Sequence, residues 1–409
     1  MKNNIFCFIS RHQNLNTYLV YGLLAKLVPA FFVVMLGYYM EPDEFGISAV
    51  FIAVVTIFSG FFSFGIGVQV VKEYENLEKE RYKLLLLTGL VIGVLIWLVC
   101  VVVVLLLSDE VLDFFSLSKG WIIFGFCVAY LLFLSEILLK VLMMNKNAKE
   151  YGVISFARQA GMAGMAFLLV YLMGGYWENR SIGYVAGLML LVLFCVPVSF
   201  NYIKGIPFRS EYFRSSVMFG VSVMPQMISN WVKMGADKII LSGVMVSAEL
   251  GKYSYIFFLA SLLMIFGAAL NNYLTPVIME KYKKAEFDSV VRLRWKALIV
   301  LFFVSISAWI LVDEFMRFMP SGYAVSSESA AWLLAGFFCQ SVYLIYMKYY
   351  IYTDKMMMLG GVNVFSVIVY LYMIFGAGRI DIEYAAMSFF VYSVVLLISS
   401  VLLQKKLCN

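Results

Sequence analysis

Twelve long apolar runs separated by short polar connectors constrain this chain more than any other feature. They cover residues 17–40, 46–70, 84–107, 121–143, 152–173, 182–203, 216–244, 252–279, 297–312, 330–350, 358–377 and 384–403. A helix needs about 20 apolar residues to cross roughly 30 Å of hydrocarbon, and it satisfies its own backbone hydrogen bonds there. The runs are continuous and lack the period-two alternation of a transmembrane barrel. No connector is long enough for a globular domain. Only 14% of the 409 residues are charged and 63% are hydrophobic, where an ordinary soluble domain has about 25% charged residues. The expected fold is an all-α integral membrane protein of twelve transmembrane helices.

The basic residues supply an orientation. Twenty Lys and Arg fall in the N-terminal segment and the even-numbered connectors, the densest group being Lys281, Lys283, Lys284, Arg292, Arg294 and Lys296. The odd-numbered connectors hold four: Lys119, Arg180, Arg317 and Arg379. Translocated short loops are depleted of both residues, so both termini are expected in the cytoplasm. The patch Ile5 to Ile9 is too short for the apolar region of a signal peptide and leads into Arg11 and His12, so a cytoplasmic lead-in is expected. The six Cys are scattered without CxxC spacing, which indicates packing residues in place of a metal site or disulfide framework.

MEPDEFG at residues 40–46 returns as MVSAELG at 245–251, with Met40, Glu44 and Gly46 matched by Met245, Glu249 and Gly251. One copy joins the first run to the second, the other the seventh to the eighth. An offset of six spans preserves orientation, as in parallel repeats related by an axis along the membrane normal. Two parallel six-helix bundles, residues 1–205 and 206–409, are expected around a central cavity, with a binding site near the midplane.

Ionisable residues inside a span cost about 2.5–3.5 kcal/mol on insertion scales and default to functional roles facing the bundle interior. In the seventh run Ser222, Gln226, Asn230, Lys233 and Asp237 recur at steps of three and four, which puts them on one helical face. Such a stripe lines a cavity, or else Lys233 and Asp237 form a structural ion pair. Lys238 lies off the stripe, placed to snorkel. Lys26 sits one turn before Pro29, whose ring bends a helix; it faces either the cavity or the headgroups. Glu136 and Lys140 are spaced to pair across one turn. Arg158 is close to a membrane end, and Lys348, among Tyr346, Tyr349 and Tyr350, fits an interfacial belt. The net buried charge is positive and favours an anion. Catalytic signatures are missing: His12 is the lone histidine, no HExxH occurs, and GIG at 65–67 is not a phosphate-binding GxGxxG.

Two segments, the first run leading into YYMEPDEFGISAVF and FGVSVMPQMISNWVKMGADKIILS in the seventh, followed by GKYSYIFFLAS, resemble the polysaccharide-transporter branch of the multidrug/oligosaccharidyl-lipid/polysaccharide exporters, the Wzx-type O-antigen flippases. The sequence departs from that family's pattern at Lys238, where Arg is frequent, and at Tyr39. The resemblance implies a non-enzymatic flippase of the bacterial inner membrane. It would move a polyprenyl-pyrophosphate-linked oligosaccharide of lipopolysaccharide biosynthesis from the cytoplasmic to the outer leaflet by alternating access. Lys26, Arg158, Lys233, Asn230 and Gln226 would bind the substrate, while Asp237, Lys238, Glu136 and Lys140 would act as gates or ion pairs. No cofactor, metal or nucleic acid is implied; a coupling proton or sodium ion and a glycan polymerase partner are left open. The alternatives are a drug antiporter of the same superfamily, disfavoured because the first run holds no acid, and a glycan polymerase, disfavoured because no long outer loop is present.

Overall fold

The structure is a computed structural model that describes residues 13–74, 77–108, 116–145, 147–203, 212–231, 237–353, 355–376 and 380–408. Its first half builds α1 (Gln13–Leu36), α2 (Pro42–Ser63), α3 (Ile66–Glu73), α4 (Lys79–Leu106), α5 (Lys119–Met144), α6 (Ala148–Met173) and α7 (Trp177–Ile203). The second half builds α8 (Phe213–Trp231), α9 (Asp237–Ser242), α10 (Ser247–Ala260), α11 (Leu262–Lys283), α12 (Phe287–Ile310), α13 (Val312–Arg317), α14 (Ser327–Tyr352), α15 (Met356–Gly376) and α16 (Ile382–Cys408). Each of the twelve apolar runs is mainly helical in its described residues. Among the described residues nine helices are long and apolar enough to cross a membrane. The other three runs, the first, sixth and seventh, each extend into residues or side chains that are not described.

The repeat extends well beyond seven residues. Helix starts recur at Pro42 and Ser247, Lys79 and Phe287, Lys119 and Ser327, Ala148 and Met356, and Trp177 and Ile382, always 205 or 208 residues apart. α5 and α14 are both 26 residues long, and α7 and α16 are both 27. Conserved spacing of this kind follows when each half must place a helix of matching length across the same hydrocarbon thickness.

Contacts divide the chain into two compact units: Met1–Met40 with Ile47–Met227 and Lys233–Ile239, and Glu41–Gly46 with Ile228–Val232 and Ile240–Asn409. In the first unit α6 receives α1 along one side. The Tyr21 ring lies against Gly152, while Phe32 and Tyr39 each approach Phe167 with centroids 5.6 Å apart. α7 comes close to α6 where Gly161 meets Gly187 and where a Cβ at Gly183 would lie 2.6 Å from the Ala166 Cα. Small residues let helix backbones approach this closely in lipid, where packing replaces the hydrophobic effect as the driving force.

The second run differs from its expected continuous helix. α2 stops at Ser63, and Phe64 (φ 40°) and Gly65 (φ 76°) turn through the left-handed region before α3 starts. Glycine enters that region freely, whereas phenylalanine does so at a cost. Tertiary packing holds the break: Gly220 of α8 sits against Phe64, leaving no room for a Cβ, and Gly65 lies over the Gly220 Cα. The helix of the ninth run, α12, also starts earlier than that run, at Phe287 instead of 297. Helix geometry continues past the hydrocarbon edge, so Arg292, Arg294 and Lys296 belong to α12 and not to a connector.

In the second unit the two copies of the repeated motif pack on each other. A Cβ at Gly46 would lie 2.5 Å from the Ser247 carbonyl oxygen and 2.9 Å from the Gly251 amide nitrogen. One at Gly251 would collide with the Pro42 carbonyl and lie 3.1 Å from the Gly46 amide nitrogen. Each glycine is the fifth residue of its helix, so the contact is reciprocal. Beside it Phe45, 2% exposed, meets Tyr255 and Tyr323 edge-on at 5.5 and 5.7 Å. The recurrence at 205 residues has a steric basis: both crossing strands of backbone lack a side chain at the point of contact.

Candidate functional site

The first unit gathers three of the expected residues. Arg158, the eleventh of the 26 residues of α6, is 9% exposed, and its Nη1 donates to the Ser135 Oγ of α5 at 3.1 Å. That hydroxyl donates its own hydrogen bond to the Leu132 carbonyl at 2.7 Å, so it presents a lone pair to the guanidinium. The Arg158 Nε meets no acceptor. Among the described residues no carboxylate lies within 4.0 Å of this cation. Tyr184 of α7 is within electrostatic reach both of this cation and of Glu136, next in chain to Ser135.

Lys140 follows Glu136 by one turn of α5 and feels its charge, yet the expected ion pair does not close between them within 4.0 Å. The Lys140 ammonium instead occupies the space over Gly67 in α3, where a Cβ would collide with Nζ and lie 3.0 Å from Cε. The GIG triplet therefore has a geometric role: Gly65 allows the break after α2, and Gly67 makes room for a lysine. Sequence reasoning considered that triplet only as a phosphate loop.

Lys26 stands apart from this group. It is exposed, on a helix whose buried face includes Ala25, Ala30 and Val33. Asp237 is 1% exposed and opens α9, where a carboxylate complements the helix dipole. Its Oδ1 lies 3.6 Å from the Lys238 Nζ, and the Lys238 side chain is only 13% exposed. Lys238 is therefore folded back onto its neighbour. Lys233 and the side chains of Gln226 and Asn230 lie outside the described residues.

Sequence reasoning passed over Ser135 and Tyr184, and placed Lys348 in an interfacial belt. Lys348 is 7% exposed. It stands in α14 where Lys140 stands in α5: each comes 21 residues after its helix start, at Ser327 and Lys119. The signal that could have found it was the 208-residue offset between these helices, which the seven-residue motif alone did not supply.

Repeated sets of long apolar helices, with a cationic group buried among three of them, define a multi-pass helical membrane protein. Residues 36–318 match the family described as polysaccharide biosynthesis protein. The chain belongs to that family. Among solved structures it is similar to the lipid II flippase MurJ in an inward closed conformation, with 13% identity, a TM-score of 0.73, and 95% of this chain and 87% of that one covered. It is also similar to an inward-facing multidrug resistance MATE family transporter of the MOP superfamily, at 10% identity, TM-score 0.70 and 94% of both chains. The bent form of the Vibrio cholerae MATE transporter VcmN gives 13% identity and TM-score 0.55 over 96% of both. No curated relative matches the chain. At such identities these likenesses establish the fold alone, an all-helical transporter fold shared with MurJ and the MATE family.

Proposed function

We propose that the protein is a flippase that moves a polyprenyl-pyrophosphate-linked oligosaccharide from the cytoplasmic to the outer leaflet of a bacterial inner membrane by alternating access. In this reading its halves are residues 1–205 and 206–409 and both termini face the cytoplasm. The observation that carries the proposal is Arg158, a cation 9% exposed whose hydrogen bond goes to a neutral hydroxyl and whose Nε has no acceptor. A pyrophosphate leaving water needs cations in a low-dielectric site, where charge-assisted hydrogen bonds are roughly twice as strong as neutral ones. Arg158 would engage it through the guanidinium fork, with Lys140 as a second, movable charge and Lys26 and Lys233 as further contacts. Asp237 with Lys238, and Glu136 with Lys140, would exchange partners during the cycle. The polyprenyl chain needs no protein site, because hydrocarbon already solvates it.

Membership of a polysaccharide biosynthesis family and the MurJ-like fold support this reading. The O-antigen repeat as cargo, a proton or sodium ion as driver and a polymerase as partner extend it. A MATE-like drug antiporter is the competing reading, and reconstitution separates the two. Vesicles holding the purified protein are to be loaded with a fluorescent glycan on undecaprenyl pyrophosphate, with the same glycan on a neutral lipid, or with a cationic dye. Protein-dependent translocation of the pyrophosphate-linked glycan alone is the expected result. Dye efflux without glycan movement would replace this proposal with the antiporter.

A further inference from the structure

The basic end of the second unit holds a cation that the flippase reading does not use. Arg294 of α12 is 6% exposed. Its Nη2 donates to the Tyr282 hydroxyl of α11 at 2.7 Å, and its Nη1 reaches the Gln404 Oε1 of α16 at 3.4 Å. The guanidinium carbon lies 4.5 Å from the Tyr346 ring centre of α14, and Nε has no acceptor. Every one of these partners is neutral, and among the described residues no carboxylate stands within 4.0 Å. Holding a buried guanidinium without an anion is costly.

The space for an anion is beside it. A cavity of about 250 Å³ is bordered by Arg294, Tyr346, Gln404 and Lys405 on its polar side and by Val291 and Leu298 on its apolar side. No acidic residue borders it. Lys405 is exposed and brings a second positive charge. Trp295, also at the rim, is 62% exposed and Val291 48%, which gives the cavity an open apolar flank with an indole at its edge. Tryptophan is enriched at the level of lipid headgroups. The same end of the unit carries Lys281, Lys284, Arg292 and Lys296, the excess that marks a cytoplasmic surface.

We propose that this cavity is a site for an anionic phospholipid of the cytoplasmic leaflet, its phosphate between Arg294 and Lys405 and an acyl chain along Val291 and Leu298. Charge complementarity selects the headgroup, and the open apolar flank selects a lipid over a soluble anion. Occupancy would cross-link α11, α12, α14 and α16 at one end, through the partners Arg294 already holds.

Trp295 provides the readout. The protein is to be placed in nanodiscs containing equal mole fractions of brominated phosphatidylglycerol or brominated phosphatidylcholine, and the Trp295 contribution isolated by difference from a Trp295→Phe variant. Quenching is expected at lower fractions of the brominated anionic lipid, with an apparent preference of about fivefold for each basic residue in contact. Lys405→Gln leaves the bonds of Arg294 intact and should remove one such factor. Arg294→Gln should abolish the remainder. Equal quenching by the two lipids, or a preference unchanged in Lys405→Gln, would overturn the assignment. So would displacement of the anionic lipid by inorganic phosphate, which would make this a soluble-anion site.

Discussion

Substituting the two motif glycines tests the repeat as a physical contact. Gly251→Ala puts a Cβ against the Pro42 carbonyl, closer than real Cβ atoms come, and 3.1 Å from the Gly46 amide nitrogen. Gly46→Ala meets the Ser247 carbonyl at 2.5 Å and the Gly251 amide at 2.9 Å. All these obstacles are backbone, so no rotamer relieves them, and the helices α2 and α10 must part until contacts return to an ordinary distance. Overpacking of a tight site costs about 1–3 kcal/mol, set against a helix-propensity gain of up to about 1 kcal/mol for replacing glycine with alanine. Gly251→Ala should therefore lose about 2 kcal/mol net and Gly46→Ala about 1 kcal/mol. Gly361→Ala in α15, where nothing lies within 4 Å of the added carbon, should be neutral or slightly stabilising. The double variant carries the sharper expectation. Once one alanine has parted the helices the second enters space already opened, so its cost should fall short of the sum by more than about 0.5 kcal/mol. Steric-trap unfolding in bicelles measures these values. Strict additivity, or a Gly251→Ala variant as stable as Gly361→Ala, would refute the reciprocal contact.

Three further outcomes are expected. Gly67→Ala evicts the Lys140 ammonium, the flexible end of a side chain, so stability should change by less than about 1 kcal/mol while translocation of the pyrophosphate-linked glycan falls as far as in Lys140→Gln; vesicle assays of both variants check this. Arg180, 6% exposed, donates from Nη1 to the Ser48 Oγ at 2.7 Å, and Arg180→Leu should cost about 1–3 kcal/mol in the same unfolding assay. At the turn after α11, the hydrogen bond from Lys284 holds the Glu280 carboxyl below 4.5, the hydrogen bond from Lys281 does the same for Glu286, and Glu280 raises Lys284 above 10.5. The carboxylates then contribute stability above about pH 4.5 that is lost as pH falls through their folded values, and Lys284 a contribution lost as pH rises through its own. The small Tm difference between wild type and Glu280→Gln, measured from pH 3 to 11, should vanish at both ends of that range and in molar salt.

The helices were legible in the sequence because hydrocarbon imposes a length and an apolarity that few other environments demand. The repeat was legible at Gly46 and Gly251 because backbone contact tolerates no side chain there. The break at Phe64 and Gly65 was not, since the apolar run continues unbroken to residue 70 and the turn depends on Gly220 in a distant helix. Hydropathy likewise marked α12 only from residue 297, as it senses lipid depth and not helix continuity, and so put Arg294 outside the bundle. Of the candidate site, charge inside a span pointed to Arg158, Lys140 and Glu136 one at a time. Their arrangement depends on Ser135, Tyr184 and Gly67, residues unremarkable in a membrane helix until the fold sets them beside a cation.

The central claim is that Arg158 carries the substrate's anionic headgroup through the bilayer interior. Initial translocation rates of undecaprenyl-pyrophosphate-linked glycan should be compared in vesicles for wild type, Arg158→Gln, Arg158→Lys and Ser135→Ala, each matched for folded protein by thermal melting. The account predicts a loss of at least about tenfold in Arg158→Gln, the effect of about 1.4 kcal/mol. Partial rescue is expected in Arg158→Lys, and a smaller loss in Ser135→Ala, which keeps the charge and frees its donor. Wild-type rates in a correctly folded Arg158→Gln protein would contradict it.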